Sequence, residues 1–175
     1  MKNIKFLKKE KLLVSKGKNA YFCSSVNCFI MKTKETELED PAVVYGVPGQ
    51  ISDSEVLTFL QTKDINWKYV NAIKSLTNFN DEVISEWLNI SVRTFRTYRQ
   101  PENKFKENTK EQIILLLSLI NHGIKVFGSS KGFDNWLHNE NFYFDNKAPN
   151  AFLNTVTGIR FVDDNLTAME YGDNV

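Results

Sequence analysis

Cysteine is scarce, with Cys23 and Cys28 alone among 175 residues, which excludes a disulfide-stapled scaffold. Their single C-x4-C spacing lacks a second pair, and His122 and His138 lie far along the chain, so four zinc ligands are not legible. No metal and no cofactor is expected. Long apolar runs are missing too. The longest, Ile113–Ile120, is interrupted by Ser118, and a bilayer span takes ~20 apolar residues. The Lys-rich start develops neither an apolar segment nor a small-residue cleavage site, so the reading is a soluble, cytoplasmic protein with no membrane partner. Net charge is +1, too small for a blanket polyanion binder. No stretch alternates with period two, so strands are not expected.

Catalytic constellations are equally sparse. Gly128-Ser-Ser-Lys-Gly132 lacks Walker spacing and a preceding strand, and reads as an interhelix turn. Asp163 and Asp164 are adjacent, so on a helix they point different ways. His122 reads as a core or edge histidine and His138 as one near a helix end, neither with a sequence-evident partner for general-base chemistry. The chain reads as no enzyme.

What is present is a charge gradient. Residues 1–40 carry nine Lys and five acids, residues 41–108 eight bases and eight acids, and residues 109–175 five bases and eight acids. A basic start and an acidic end suggest two different partners. Residues 1–50 hold no helical or alternating period and read as a loosely ordered basic arm. Met31 followed by Lys32 offers a second candidate start.

From Ser52 onward the text is helical. Ser52-Asp-Ser-Glu55 is a capping box, with Val56, Phe59 and Leu60 on one face. Trp67, Val70, Ile73 and Leu76 make a second helix, Asp81–Leu88 a third and Val92–Arg99 a fourth. Thr109-Lys-Glu-Gln112 reads as another capping box, opening a long helix that Gly128 ends. Ser129 or Ser130 restarts a helix with Phe133, Trp136 and Leu137. Pro149 suits a first helical position, Gly158 reads as punctuation, and Ile159, Val162, Leu166 and Met169 form a last helix. The fold class is all-α. Its expected parts are a helix-turn-helix module at 51–108 and a small helical domain at 109–175.

Asp81–Arg99 carries the sharpest local pattern. Ser85 is small where two helices approach, Asn89 tolerates a left-handed turn, and Phe95 plugs the second helix. Ser91 then caps that helix, while Arg93, Thr94, Arg96, Thr97 and Arg99 face outward, suited to phosphates and guanine edges. An ordinary helical hairpin with a solvated basic face stays open beside this reading.

Taken with the downstream residues, the chain resembles the antitoxins of the Xre/ParS/MbcA type, whose partners are RES-domain toxins. The residues that carry the resemblance are Ser91–Arg99, Phe127-Gly128, Trp136-Leu137, Pro149, Leu153-Asn-Thr155-Val-Thr-Gly158, Val162, Leu166 and Tyr171-Gly172. The chain departs from the family pattern at Phe142-Tyr-Phe-Asp-Asn-Lys-Ala-Pro149, which lacks a glycine, and at Thr167-Ala-Met-Glu170, which lacks a basic residue. The resemblance implies an Xre-like helix-turn-helix followed by a toxin-binding domain. It implies a partner that consumes NAD or transfers ADP-ribose from it, with the antitoxin covering the entrance to that pocket. Toxin-contact candidates are Phe142, Tyr143, Phe144, Arg160, Tyr171 and Asp173, since aromatic anchors suit an interface and acidic groups suit a basic cleft. Ser91, Arg93, Thr94, Arg96, Thr97 and Arg99 are the candidates for operator DNA. A homodimer through the apolar faces of Trp67–Leu76 and Ile113–Ile120 would match paired half-sites. The alternative is a helix-turn-helix regulator with no toxin partner.

Overall fold

A 21-residue helix, Glu107–Phe127, carries most of the helix packing among the described residues. The structure is a computed structural model that describes residues 45–77 and 79–172, all within one unit spanning Leu38–Val175. The Lys-rich segment to residue 44, Cys23, Cys28, Met31 and Asp173 lie outside the described residues. Among those described, the elements are α1 (Asp53–Thr62), α2 (Trp67–Leu76), α3 (Asp81–Trp87), α4 (Val92–Thr97), α5 (Glu107–Phe127), α6 (Ser130–His138) and α7 (Val156–Glu170). Two short 3-10 turns, Phe142–Phe144 and Pro149–Phe152, stand between α6 and α7. No strand is present among them, as expected from the missing alternation. No single helix among the described residues is long and apolar enough to cross a membrane.

α5 is the central helix. Its apolar residues cover more than one stripe, and Ile113, Ile114, Leu115, Leu116, Leu117, Leu119 and Ile120 are all buried. A helix that is apolar all round must be wrapped. α1 and α2 pack on it from the N-terminal half of the chain, α6 and α7 from the C-terminal half, so both halves share one hydrophobic core. The apolar faces expected to form a homodimer are thereby taken. Ile113–Ile120 is buried within its own chain, and so are Tyr69, Val70, Ala72 and Ile73 of α2.

Local signals set most helix ends. Ser52 and Glu55 form the capping box of α1, with Ser52 N donating to Glu55 Oε2 at 2.8 Å. Gly128 closes α5 in the left-handed conformation (φ 68°), and Ser129 caps α6 by accepting from Gly132 N at 3.1 Å. The box read at Thr109–Gln112 does not form. α5 starts earlier, at Glu107, with Lys106 at its cap and no side-chain cap bond. Thr109 and Gln112 face inward instead, and Gln112 Nε2 donates to Asn154 O at 3.2 Å. A buried amide needs a partner, and tertiary structure supplies one. Gly158 does not punctuate either: it is the third residue of α7.

Residues 47–51, read as the end of a loose arm, are strapped across α5 and α7. Val47 and Ile51 are buried. Ser118 Oγ donates to Pro48 O at 2.7 Å, and Asn121 Nδ2 to Val47 O at 2.9 Å. Polar residues inside an apolar helix would be costly unless bonded. Here they satisfy the strap's carbonyls. Gly49 lies against the α5 backbone, where an added Cβ would stand 3.1 Å from His122 N.

Candidate functional site

The α3–α4 pair has the geometry its sequence predicts. Ser85 and Phe95 are buried, Asn89 takes the left-handed conformation (φ 53°), and Ser91 Oγ accepts from Thr94 N at 3.0 Å. Phe95 packs against Trp67 of α2, with ring centroids 4.9 Å apart. Arg93, Thr94, Arg96, Thr97 and Arg99 are exposed. The two threonines are oriented by neighbours, since Thr94 Oγ1 lies 2.8 Å from Ser91 Oγ and Thr97 Oγ1 donates to Thr94 O at 2.7 Å.

The arginines do not form one open row. Arg93 has no ion pair among the described residues. Arg96 Nε is 3.1 Å from Asp81 Oδ2 and its Nη2 is 2.8 Å from Glu82 Oε1. Arg99 also pairs with Asp81, and its guanidinium lies over the Trp67 ring, 5.5 Å from the centroid. Lys74 Nζ reaches Asp81 Oδ1 at 2.6 Å. The Lys74 hydrogen bond, with help from Arg96 and against the penalty of burial, holds the Asp81 carboxyl below the usual carboxylate range.

The second surface is aromatic. Asn141 and Lys147 form an isolated antiparallel bridge, with Asn141 N donating to Lys147 O at 3.2 Å. Between them Asp145 and Asn146 take positive φ (54° and 56°), which Asp and Asn tolerate better than most residues. Phe142 is 78% exposed and Tyr143 44%. Phe144, grouped with them from sequence, turns inward and is 1% exposed. Its ring sits 5.9 Å from Trp136, 5.6 Å from Phe152 and 5.2 Å from Phe161. Three successive residues of a 3-10 turn point in three different directions, so one of them faces the protein. Phe161 of α7, not singled out from sequence, is 41% exposed and lies against Phe144 and Phe152. The signal was there: an aromatic lying off the Ile159–Val162–Leu166 stripe.

The other contact candidates are spread out. Arg160 is turned toward the strap, its Nη1 donating to Ile51 O at 2.5 Å and its Nη2 pairing with Asp53. Tyr171, at the end of α7, is 80% exposed. Trp136 is half-buried and stacks on Phe133. The Leu153–Gly158 turn is packed tightly. Thr155 Oγ1 accepts from Gly158 N at 3.0 Å, and a Cβ at Gly158 would stand 1.9 Å from Phe152 O. Asn154 O accepts from both Gln112 and Asn89, tying this turn to the α3–α4 turn.

His122 has partners that sequence distance concealed. The ring is buried, with Nδ1 2.7 Å from Asp163 Oδ1 and Nε2 3.2 Å from Glu170 Oε2. Gln50 Nε2 approaches His122 Nε2 at 3.4 Å and donates to Thr167 Oγ1 at 3.1 Å. Burial disfavours the charged ring, but the hydrogen bonds and charges of Asp163 and then Glu170 outweigh it, and the pKa is raised. With both nitrogens engaged and solvent excluded, this ring clamps α5, α7 and the strap together.

No curated protein and no solved structure matches the chain. A family model does match residues 122–172, from His122 to Gly172: the antitoxin Xre/MbcA/ParS C-terminal toxin-binding domain. The matched segment covers the end of α5, α6, both 3-10 turns and α7. The exposed Phe142, Tyr143 and Phe161 all lie within it. The C-terminal part of this chain is thus similar to the toxin-binding domain of Xre/MbcA/ParS antitoxins.

Proposed function

We propose that this chain is the antitoxin of a type II pair, which binds a RES-domain toxin and covers the entrance to its NAD-binding site. The observation that carries the reading is the exposed aromatic group Phe142, Tyr143 and Phe161 within the matched domain. Exposed aromatics backed by a packed aromatic layer make rigid interface anchors. The net acidity of residues 109–175 complements a cleft that binds an anionic nucleotide. In the same proposal α3–α4 docks operator DNA through Arg93 and its neighbours, so that the antitoxin represses its own operon as a homodimer. Any dimer contact then uses surfaces other than the buried faces of α2 and α5.

The test is to express the neighbouring open reading frame alone and then with this chain, following cellular NAD and growth. NAD collapse alone and recovery on co-expression is the expected result. Phe142→Ala combined with Phe161→Ala should remove that recovery while the protein remains folded. If co-expression makes no difference, neutralisation is refuted. The geometry of α3–α4, with its Ser91 cap and left-handed Asn89, then favours the second reading, a DNA-binding regulator without a toxin partner.

A further inference from the structure

Three cations, one each from α2, α4 and the turn that follows α4, converge on one carboxylate in the α3–α4 region. Asp81 is the first residue of α3, and its side chain is 8% exposed. It accepts Lys74 at 2.6 Å, Arg96 Nε at 3.1 Å, and Arg99. Glu82, next in sequence, takes the second arm of Arg96 at 2.8 Å. Both acids stand in the first turn of α3, where backbone N–H groups favour negative charge. Arg96 on α4 and Arg99 in the turn after it both reach that end of α3. Arg93 and Thr97 are four apart and share a face.

A guanidinium paired with carboxylates has its charge already offset by them: Arg96 gives its Nε and Nη2 to Asp81 and Glu82, and Arg99 pairs with Asp81. To neutralise a phosphate such a guanidinium must first leave them, so it adds little to the counterion release that drives DNA binding. We infer that Asp81 is an internal competitor for DNA phosphates: it holds Arg96 and Arg99 off the duplex and sets the affinity of the α4 face low. Arg93 is then the α4 arginine that meets DNA without breaking an ion pair among the described residues. The inference rests on α3–α4 being a DNA-binding element, and the experiment separates the two.

The full-length chain is titrated against a fluorescein-labelled mixed-sequence DNA duplex by anisotropy over a potassium chloride series. The variants are Asp81→Asn, Glu82→Gln and Arg93→Ala, each checked for helix content by circular dichroism. Asp81→Asn should tighten binding by about tenfold at low salt, and steepen the log–log salt dependence by about 1–2 as one or two further cations reach phosphate. Glu82→Gln should act in the same direction but less, and Arg93→Ala should weaken binding. Unchanged or weaker binding by folded Asp81→Asn overturns the inference. If Arg93→Ala still weakens binding in that case, the DNA-binding reading stands and the competitor alone is wrong. If neither wild type nor Asp81→Asn binds, both fail. Gain of binding by Asp81→Asn from a silent wild type supports the inference. Should Asp81→Asn fail to fold, the exposed Glu82→Gln decides, and no gain there overturns it.

Discussion

His122 Nδ1 and Asp163 Oδ1 lie 2.7 Å apart although 41 residues separate them in sequence, and this contact pins the last helix to the central one. Glu170 on α7 faces the other ring nitrogen, Gln50 approaches from the strap, and Lys125 on α5 pairs with Glu170 at 2.6 Å. The His122 pKa is raised in the fold. A group raised above its unfolded value of about 6.5 contributes stability that is fully present below that value. The contribution is lost as pH climbs through the folded value. Thermal unfolding between about pH 5.5 and about pH 9 should show wild-type stability, relative to His122→Gln, falling as pH rises. A difference between the two proteins that does not change with pH would refute the linkage.

Glycine at 158 and glycine at 128 are needed for different reasons. A Cβ at Gly158 would stand 1.9 Å from Phe152 O, whereas at Gly128 it meets nothing within 4 Å and only the φ of 68° resists it. Gly158→Ala must push the 3-10 turn off α7 and should cost about 3 kcal/mol, the upper end for an overpacked site. Gly128→Ala should cost about 1–2 kcal/mol, the left-handed penalty alone. Urea unfolding of the two variants checks the order.

Asn89 combines a left-handed backbone with a side-chain bond to Asn154 O. Asn89→Gly removes the bond but relaxes the backbone, while Asn89→Ala loses on both counts. The glycine variant should be the more stable by about 1 kcal/mol. Equal midpoints in chemical denaturation would show that the conformation at this turn carries no cost.

Phe142 and Phe144 are two residues apart and should behave oppositely. Phe144→Ala empties a buried position and should cost about 3–5 kcal/mol. Phe142→Ala removes a ring that is 78% exposed and should change stability by less than about 0.5 kcal/mol. On the proposed function, pull-down of the toxin should nonetheless fail with Phe142→Ala. Retained capture by a folded Phe142→Ala protein would move the interface elsewhere.

Where a rule depends on a few neighbouring residues, it could be read directly. The Ser52–Glu55 box, the Ser91 cap, the left-handed Asn89 and the stop at Gly128 all involve groups within four residues of each other. Such local geometry is decided by side-chain reach and allowed φ/ψ. The Thr109–Gln112 box did not form although its spacing was right, because α5 begins earlier, at Glu107, which places Thr109 inside the helix, and both residues are buried.

The amino-acid order by itself therefore determined an all-α chain, most of its helix ends, the α3–α4 turn and the motif positions of the C-terminal domain. Tertiary structure alone decided the rest. It turned Phe144 inward and Phe161 outward, drew Val47–Ile51 onto α5, surrounded His122 with carboxylates, and gave Arg96 and Arg99 to Asp81. Each of those outcomes depends on which surfaces meet when α1, α2, α6 and α7 close around α5. Burial and long-range pairing are properties of that closure, since a charge or ring is satisfied by whatever lies within a few ångströms in space, however far away it stands along the chain.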